Sequence, residues 1–151
     1  MKLTENFTLQ ELIKSQTALR KGINNNPTDP SVVTNLQTLC EKVLQPVRDH
    51  FRLPVVINSG FRSAKLNKAI GSSSKSQHTK GYAVDIEIPG VSNKVLGEYI
   101  RDNLPYDQLI LEFYNGVDPN SGWVHVSYVD DKHNRKQVLT INKNGTFPDF
   151  V

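Results

Sequence analysis

Two short stretches carry residue types that could do metal chemistry together. The first is Ser76-Gln77-His78-Thr79-Lys80-Gly81-Tyr82-Ala83-Val84-Asp85, where a histidine and an aspartate flank a glycine turn and the start of an apolar run. Asp85 sits inside Ala83-Val84-Asp85-Ile86, where an unpaired charge would be costly to bury. A buried carboxylate wants a cation, and a carboxylate with neutral imidazoles is a ligand set that zinc accepts. The second stretch is Trp123-Val124-His125-Val126-Ser127. In a strand it would put Trp123, His125 and Ser127 on one face, with Val124 and Val126 on the other. If the two strands are neighbours, His78, Asp85 and His125 give three ligands, and a water takes the open position of a catalytic zinc. On spacing alone an ordinary alternative stands beside this, with His125 hydrogen-bonded in the core and Asp85 paired to a lysine.

The elements that must position these residues are readable in outline. Thr8-Leu9-Gln10-Glu11 is a capping box opening a short helix, and residues 22–30 are a loop dense in turn residues. Ser31 is expected to cap a long helix to about His50, kinked by Pro46. A strand over 54–60 leads to a short helix over 63–70 and a loop over 71–77. Tyr82–Ile88 reads as a buried strand, and Ser92 caps a helix to about Asn103 carrying Val95, Leu96, Tyr99 and Ile100 at helical spacing. Strands follow over 107–113, 123–129 and, last, 137–141, joined by turn-rich connections. Helices first and strands later predict an α+β fold, a mainly antiparallel sheet with helices packed on one face, in a single domain over 1–151.

Composition narrows the function classes. Of 151 residues 37% are hydrophobic, enough for one modest core. Eighteen Lys and Arg against 15 Asp and Glu give +3, mildly basic and far from the clustered charge of a nucleic-acid binder, though favourable for an anionic wall polymer. The sequence holds no apolar run long enough to span a membrane, and the opening residues lack a signal-peptide pattern. Cys40, the single cysteine, falls in an apolar helical pattern and reads as a buried hydrophobe. His50 reads as a helix-end residue, His133 as part of a solvated turn.

The stretch SxHxxGxAxD (Ser76, His78, Gly81, Ala83, Asp85) followed by WxHxS resembles the D-alanyl-D-alanine zinc metallopeptidases. That group takes in zinc carboxypeptidases, D,D-dipeptidases, phage endolysins and the hedgehog signalling domain. Ser59-Gly60-Phe61-Arg62-Ser63 is similar to the group's SGYRS segment, and the resemblance spans roughly residues 44–128. It implies zinc on His78, Asp85 and His125, an acidic general base, and an arginine that orients substrate, which Arg62 matches. A planar guanidinium suits a substrate carbonyl or carboxylate and the developing oxyanion. Several relatives carry the acid three residues before the last histidine, where this chain has Gly122. The hedgehog branch puts its glutamate on the preceding strand; Glu112 fits that arrangement, and Asp118 is the rival base. A strand holds a carboxylate more firmly than a loop tip does.

Ser76, Gln77 and Trp123 are further candidates for contact with substrate, Ser127 is a candidate support for a ligand, and Tyr82 and Tyr114 could line the site. The implied activity is zinc-dependent hydrolysis of a peptide bond in a peptidoglycan stem peptide, by an endolysin-like endopeptidase or a carboxypeptidase. The alternative is a non-catalytic zinc-stabilised binding module. A short monomeric chain without an export signal is expected to reach the wall by phage delivery or release through a holin.

Overall fold

A computed structural model describes residues 1–150. The chain opens with β1 (Lys2–Thr4) and β2 (Phe7–Thr8), a small antiparallel pair, and continues into α1 (Leu9–Ile13), whose N-terminus is closed by the reciprocal capping box of Thr8 and Glu11. Next come α2 (Gln16–Lys21) and α3 (Pro30–Leu39). The cap of α3 is Asp29 rather than Ser31: its carboxylate accepts the Ser31 N–H at 2.9 Å, because Pro30 starts the helix at a position where no N–H is needed. A π turn, Cys40–Leu44, then joins α3 to α4 (Gln45–Phe51). Its wide turn, closed by Gln45 N–H on the Cys40 carbonyl, lies just before Pro46, which lacks the N–H an α-helical ladder would use.

The remaining elements are β3 (Val56–Ser59), α5 (Ala64–Ala69), a 3-10 turn (Gln77–Lys80), β4 (Ala83–Glu87), α6 (Asn93–Asn103), β5 (Gln108–Glu112), β6 (Trp123–Ser127), β7 (Gln137–Asn142) and β8 (Gly145–Pro148). Six strands form one sheet in the order β3-β4-β6-β5-β7-β8. All pairs are antiparallel except β5 with β7. The architecture is α+β with a mostly antiparallel sheet. The expected final strand is followed by another, β8, which folds back on β7 through a two-residue turn at Lys143-Asn144.

Strand alternation gives the sheet two unlike faces. Val84, Ile86, Leu109, Leu111, Val124 and Val126 join one buried cluster with Leu36, Leu39 and Val43 from the α3 stretch, and with Leu96 and Ile100 of α6. Cys40 belongs to this cluster, and burial pushes its thiol up to about 12, which removes it from nucleophilic chemistry. Leu66 of α5 is buried outside that cluster and lines a cleft with Arg62 and Asp85, so α5 walls the opposite side from the main helical layer.

Candidate active site

The polar face of the sheet assembles the site. Antiparallel pairing of β4 with β6 puts Asp85 directly opposite His125. Cross-strand partners share a face, and His125 Nδ1 lies 2.9 Å from Asp85 Oδ1. His78 arrives from outside the sheet, on the 3-10 turn, where its own N–H is capped by Ser76 Oγ. Its Nδ1 is 2.8 Å from the Gly60 carbonyl oxygen. A carbonyl only accepts, so Nδ1 carries a proton, and Nε2 faces Asp85 Oδ2 at 3.5 Å.

Gly60 is required by contact. A Cβ there would collide with the Leu12 carbonyl of α1, the same oxygen that accepts the Phe61 N–H at 2.7 Å. The loop can therefore press against α1 and aim its own carbonyl at His78. One ligand atom from each of His78, Asp85 and His125 lies within 4.8 Å of the others, and His78 is 3% exposed.

The charges around this cluster are unevenly matched. Burial works to raise the Asp85 carboxyl, but hydrogen bonds from His125 and then His78 outweigh it and hold the group well below the usual carboxylate range. Glu112 behaves in the opposite way. Burial, and then the Asp85 charge, push it above its ordinary value, against the pull of His125, the Trp123 indole and Arg62. Burial lowers Arg62, while Asp85 and Glu112 favour its charge, so the guanidinium feels both carboxylates. Its Nε is buried without a hydrogen-bond partner among the described residues. Arg62 and Asp85 line a cleft of about 310 Å3 with Lys14, Ser15, Leu66 and Ile70.

The donor set fits a zinc ion. Two imidazole nitrogens and a carboxylate oxygen converge, one imidazole is held by a backbone carbonyl, and the buried carboxylate faces no fixed cation in the cluster. Glu112 stands on the same face, its neighbour in β6 being Trp123. Asp118 lies on an exposed turn where its Oδ1 accepts the Asn120 N–H. Gly122 could not carry an acid in this backbone: its φ is +66°, and a Cβ would run into the Glu112 carbonyl.

Other candidates have structural partners. Ser76 caps the 3-10 turn, and Gln77 donates its amide to Asp107 at 2.9 Å. Ser127 accepts the Gln108 N–H, and Tyr82 lines a cleft with Asn24 and Asp29. Tyr114 borders a separate hollow with Phe113. His50 stacks on Tyr99 at 3.8 Å, and His133 pairs with Asp130 in an exposed turn.

Sequence reasoning missed Asp107. It is 2% exposed and accepts from the Arg135 N–H and guanidinium as well as from Gln77. Nothing in its local sequence signals this, because its partners lie 28 and 30 residues away.

No curated protein matches the chain. A family model, Peptidase M15, matches residues 5–127, which takes in α1, the Gly60–Arg62 loop, and all of His78, Asp85, Glu112 and His125. With that match over most of its length, the chain belongs to the Peptidase M15 family, whose members are zinc peptidases.

Proposed function

We propose that the protein is a zinc-dependent peptidase that cuts a peptide bond in bacterial peptidoglycan. The observation that carries this reading is the convergence of His78, Asp85 and His125 in a Peptidase M15 chain, with Glu112 and Arg62 coupled electrostatically to the same carboxylate. His78, Asp85 and His125 would hold the zinc, which when bound makes a water acidic and polarises the scissile carbonyl.

The chain's own groups do the rest. The Glu112 carboxylate, raised above its ordinary value by burial and by Asp85, takes a proton from the attacking water and returns it to the leaving amine. The Arg62 guanidinium, walled by α5 and with Nε unpaired, holds the substrate carbonyl and its developing negative charge. Gly122 gives room for the backbone of Glu112 to stay in register with Trp123. The reading extends to an endolysin-like endopeptidase that acts at the wall as a monomer.

Digestion of purified sacculi, with and without a zinc chelator, tests it. Chelator-sensitive release of fragments is expected, and mass spectrometry of the new termini names the bond. Sacculi left intact by protein carrying one zinc per chain would instead leave a binding module of the same fold.

A further inference from the structure

Beyond Glu112, β5 does something its pattern does not require. Leu109 and Leu111 face the core, so plain alternation would send Phe113 there as well. Instead Phe113 has φ +56°, a left-handed backbone that bulky residues rarely adopt. Its ring is 46% exposed, with its centroid 5.6 Å from that of Trp123, on the polar face of the sheet. The kink thus moves an aromatic ring out of the core direction and onto the rim of the candidate active site. The cost in backbone strain and exposed apolar surface has no counterpart in core packing.

The hollow beside this ring, about 320 Å3, is bordered by Asn115, Asn142 and Asn144, with Lys143 as its one charged group. The side-chain oxygen of Asn115 accepts the Val117 and Asp118 N–H groups, and that of Asn142 accepts the Asn144 N–H. Their NH2 groups bond nothing among the described residues, so they remain as donors. Apolar ring faces beside amide donors, with no carboxylate, match a neutral ligand with an apolar face and an oxygen-rich edge.

We propose that Phe113 and Trp123 form a subsite for an N-acetylated pyranose ring of the glycan strand, next to the peptide cleft. This rests on the peptidoglycan reading above. One sugar face packs on the Phe113 ring, which Trp123 backs, and its hydroxyl and acetamido oxygens accept from Asn115 and Asn142. The peptide branching from that sugar then enters the metal centre from the Glu112 side.

Trp123 is the chain's single tryptophan, so its emission reports on this side of the site. Titration of the full chain with the tetrasaccharide of β-1,4-linked N-acetylglucosamine is expected to change that emission saturably. Phe113→Ala should weaken binding about tenfold, and Phe113→Tyr should restore it to within about twofold. Phe113→Gly, in which the relieved left-handed strain offsets glycine's greater chain entropy, should still fold and still lose binding. No saturable change in the parent, or equal affinity in Phe113→Ala, would overturn the subsite. The titration involves no hydrolysis. Intact sacculi with a protein that binds the tetrasaccharide would sink the peptidase reading alone, whereas digestion without such binding would sink the sugar subsite alone.

Discussion

Asp107 is buried and Asp85 is half-buried, and their surroundings differ in kind. Asp107, at the mouth of β5, meets a permanent cation: the Arg135 guanidinium approaches at 3.0 and 2.8 Å, with the Arg135 N–H at 2.9 Å and Gln77 completing the set. The bonds from Arg135 and Gln77 outweigh burial and hold its carboxyl down at about 2. This knot ties down residues 128–136, the connection that must cross from β6 to β7 so that β7 can lie parallel to β5. Asp85 meets two imidazoles instead, groups with no permanent charge. A buried carboxylate closed by a guanidinium has its cation and is structural. One whose direct contacts are imidazole nitrogens has a place left for a cation from outside.

Exchanging the two carboxylates for amides should separate these roles. Asp85→Asn is expected to take zinc from one per chain to none and to abolish peptidase activity, while the metal-free protein melts within a few degrees of its parent. Retained stoichiometric zinc, read by metal analysis, would break the contrast. Glu112→Gln comes next. It should keep the zinc and lose about 10^3-fold in kcat, the middle of the range for a general base. Turnover near that of the parent would move the proton transfer to another group.

Asp107→Asn should do the reverse of Asp85→Asn, keeping the metal and costing about 2 kcal/mol in urea unfolding. The pH dependence sharpens that point. A carboxyl at about 2 when folded and about 3.9 when unfolded adds stability that is complete above pH 4 and lost as the pH falls through 2. The parent should therefore lose its advantage over Asp107→Asn across that window. Curves that stay parallel from pH 5 to 2 would show that Asp107 is not the group responsible.

The site was more legible in the sequence than the elements around it. Hydrophobic runs and helix caps gave β4, β5, β6 and α6 close to their bounds, because each has a strong local pattern. What escaped was short or held by distant contacts: β1 and β2, two or three residues long and stable only as a pair, α2, and the 3-10 turn that carries His78. The Asn144-Gly145 pair was a turn signal that would have pointed to β8. Asp29 displaced Ser31 as a cap because Pro30 is at home in the first helical turn. At the site, residue types and spacing singled out His78, Asp85 and His125, but the facing register of β4 and β6 is a long-range fact. The Phe113 kink was invisible for the same reason, since the Gly122 backbone that lies against it comes from the far end of the β5–β6 connection.

Gln77 joins the two aspartates, and the smallest effect is expected there. It precedes His78 on the 3-10 turn and clamps that turn to Asp107. Gln77→Leu removes one half-buried hydrogen bond, at a cost of about 1 kcal/mol to folding. If the clamp also orients His78, zinc affinity should fall about tenfold, as is typical when support behind a metal ligand is lost. Competition against a chromophoric chelator reads that affinity directly, and urea unfolding of the metal-free protein reads the structural part. A loss of stability with unchanged affinity would show that the Gly60 carbonyl alone fixes the imidazole. Weaker zinc binding with a matching loss in Asp107→Asn would show that the closed carboxylate helps to hold the open one in shape for its metal.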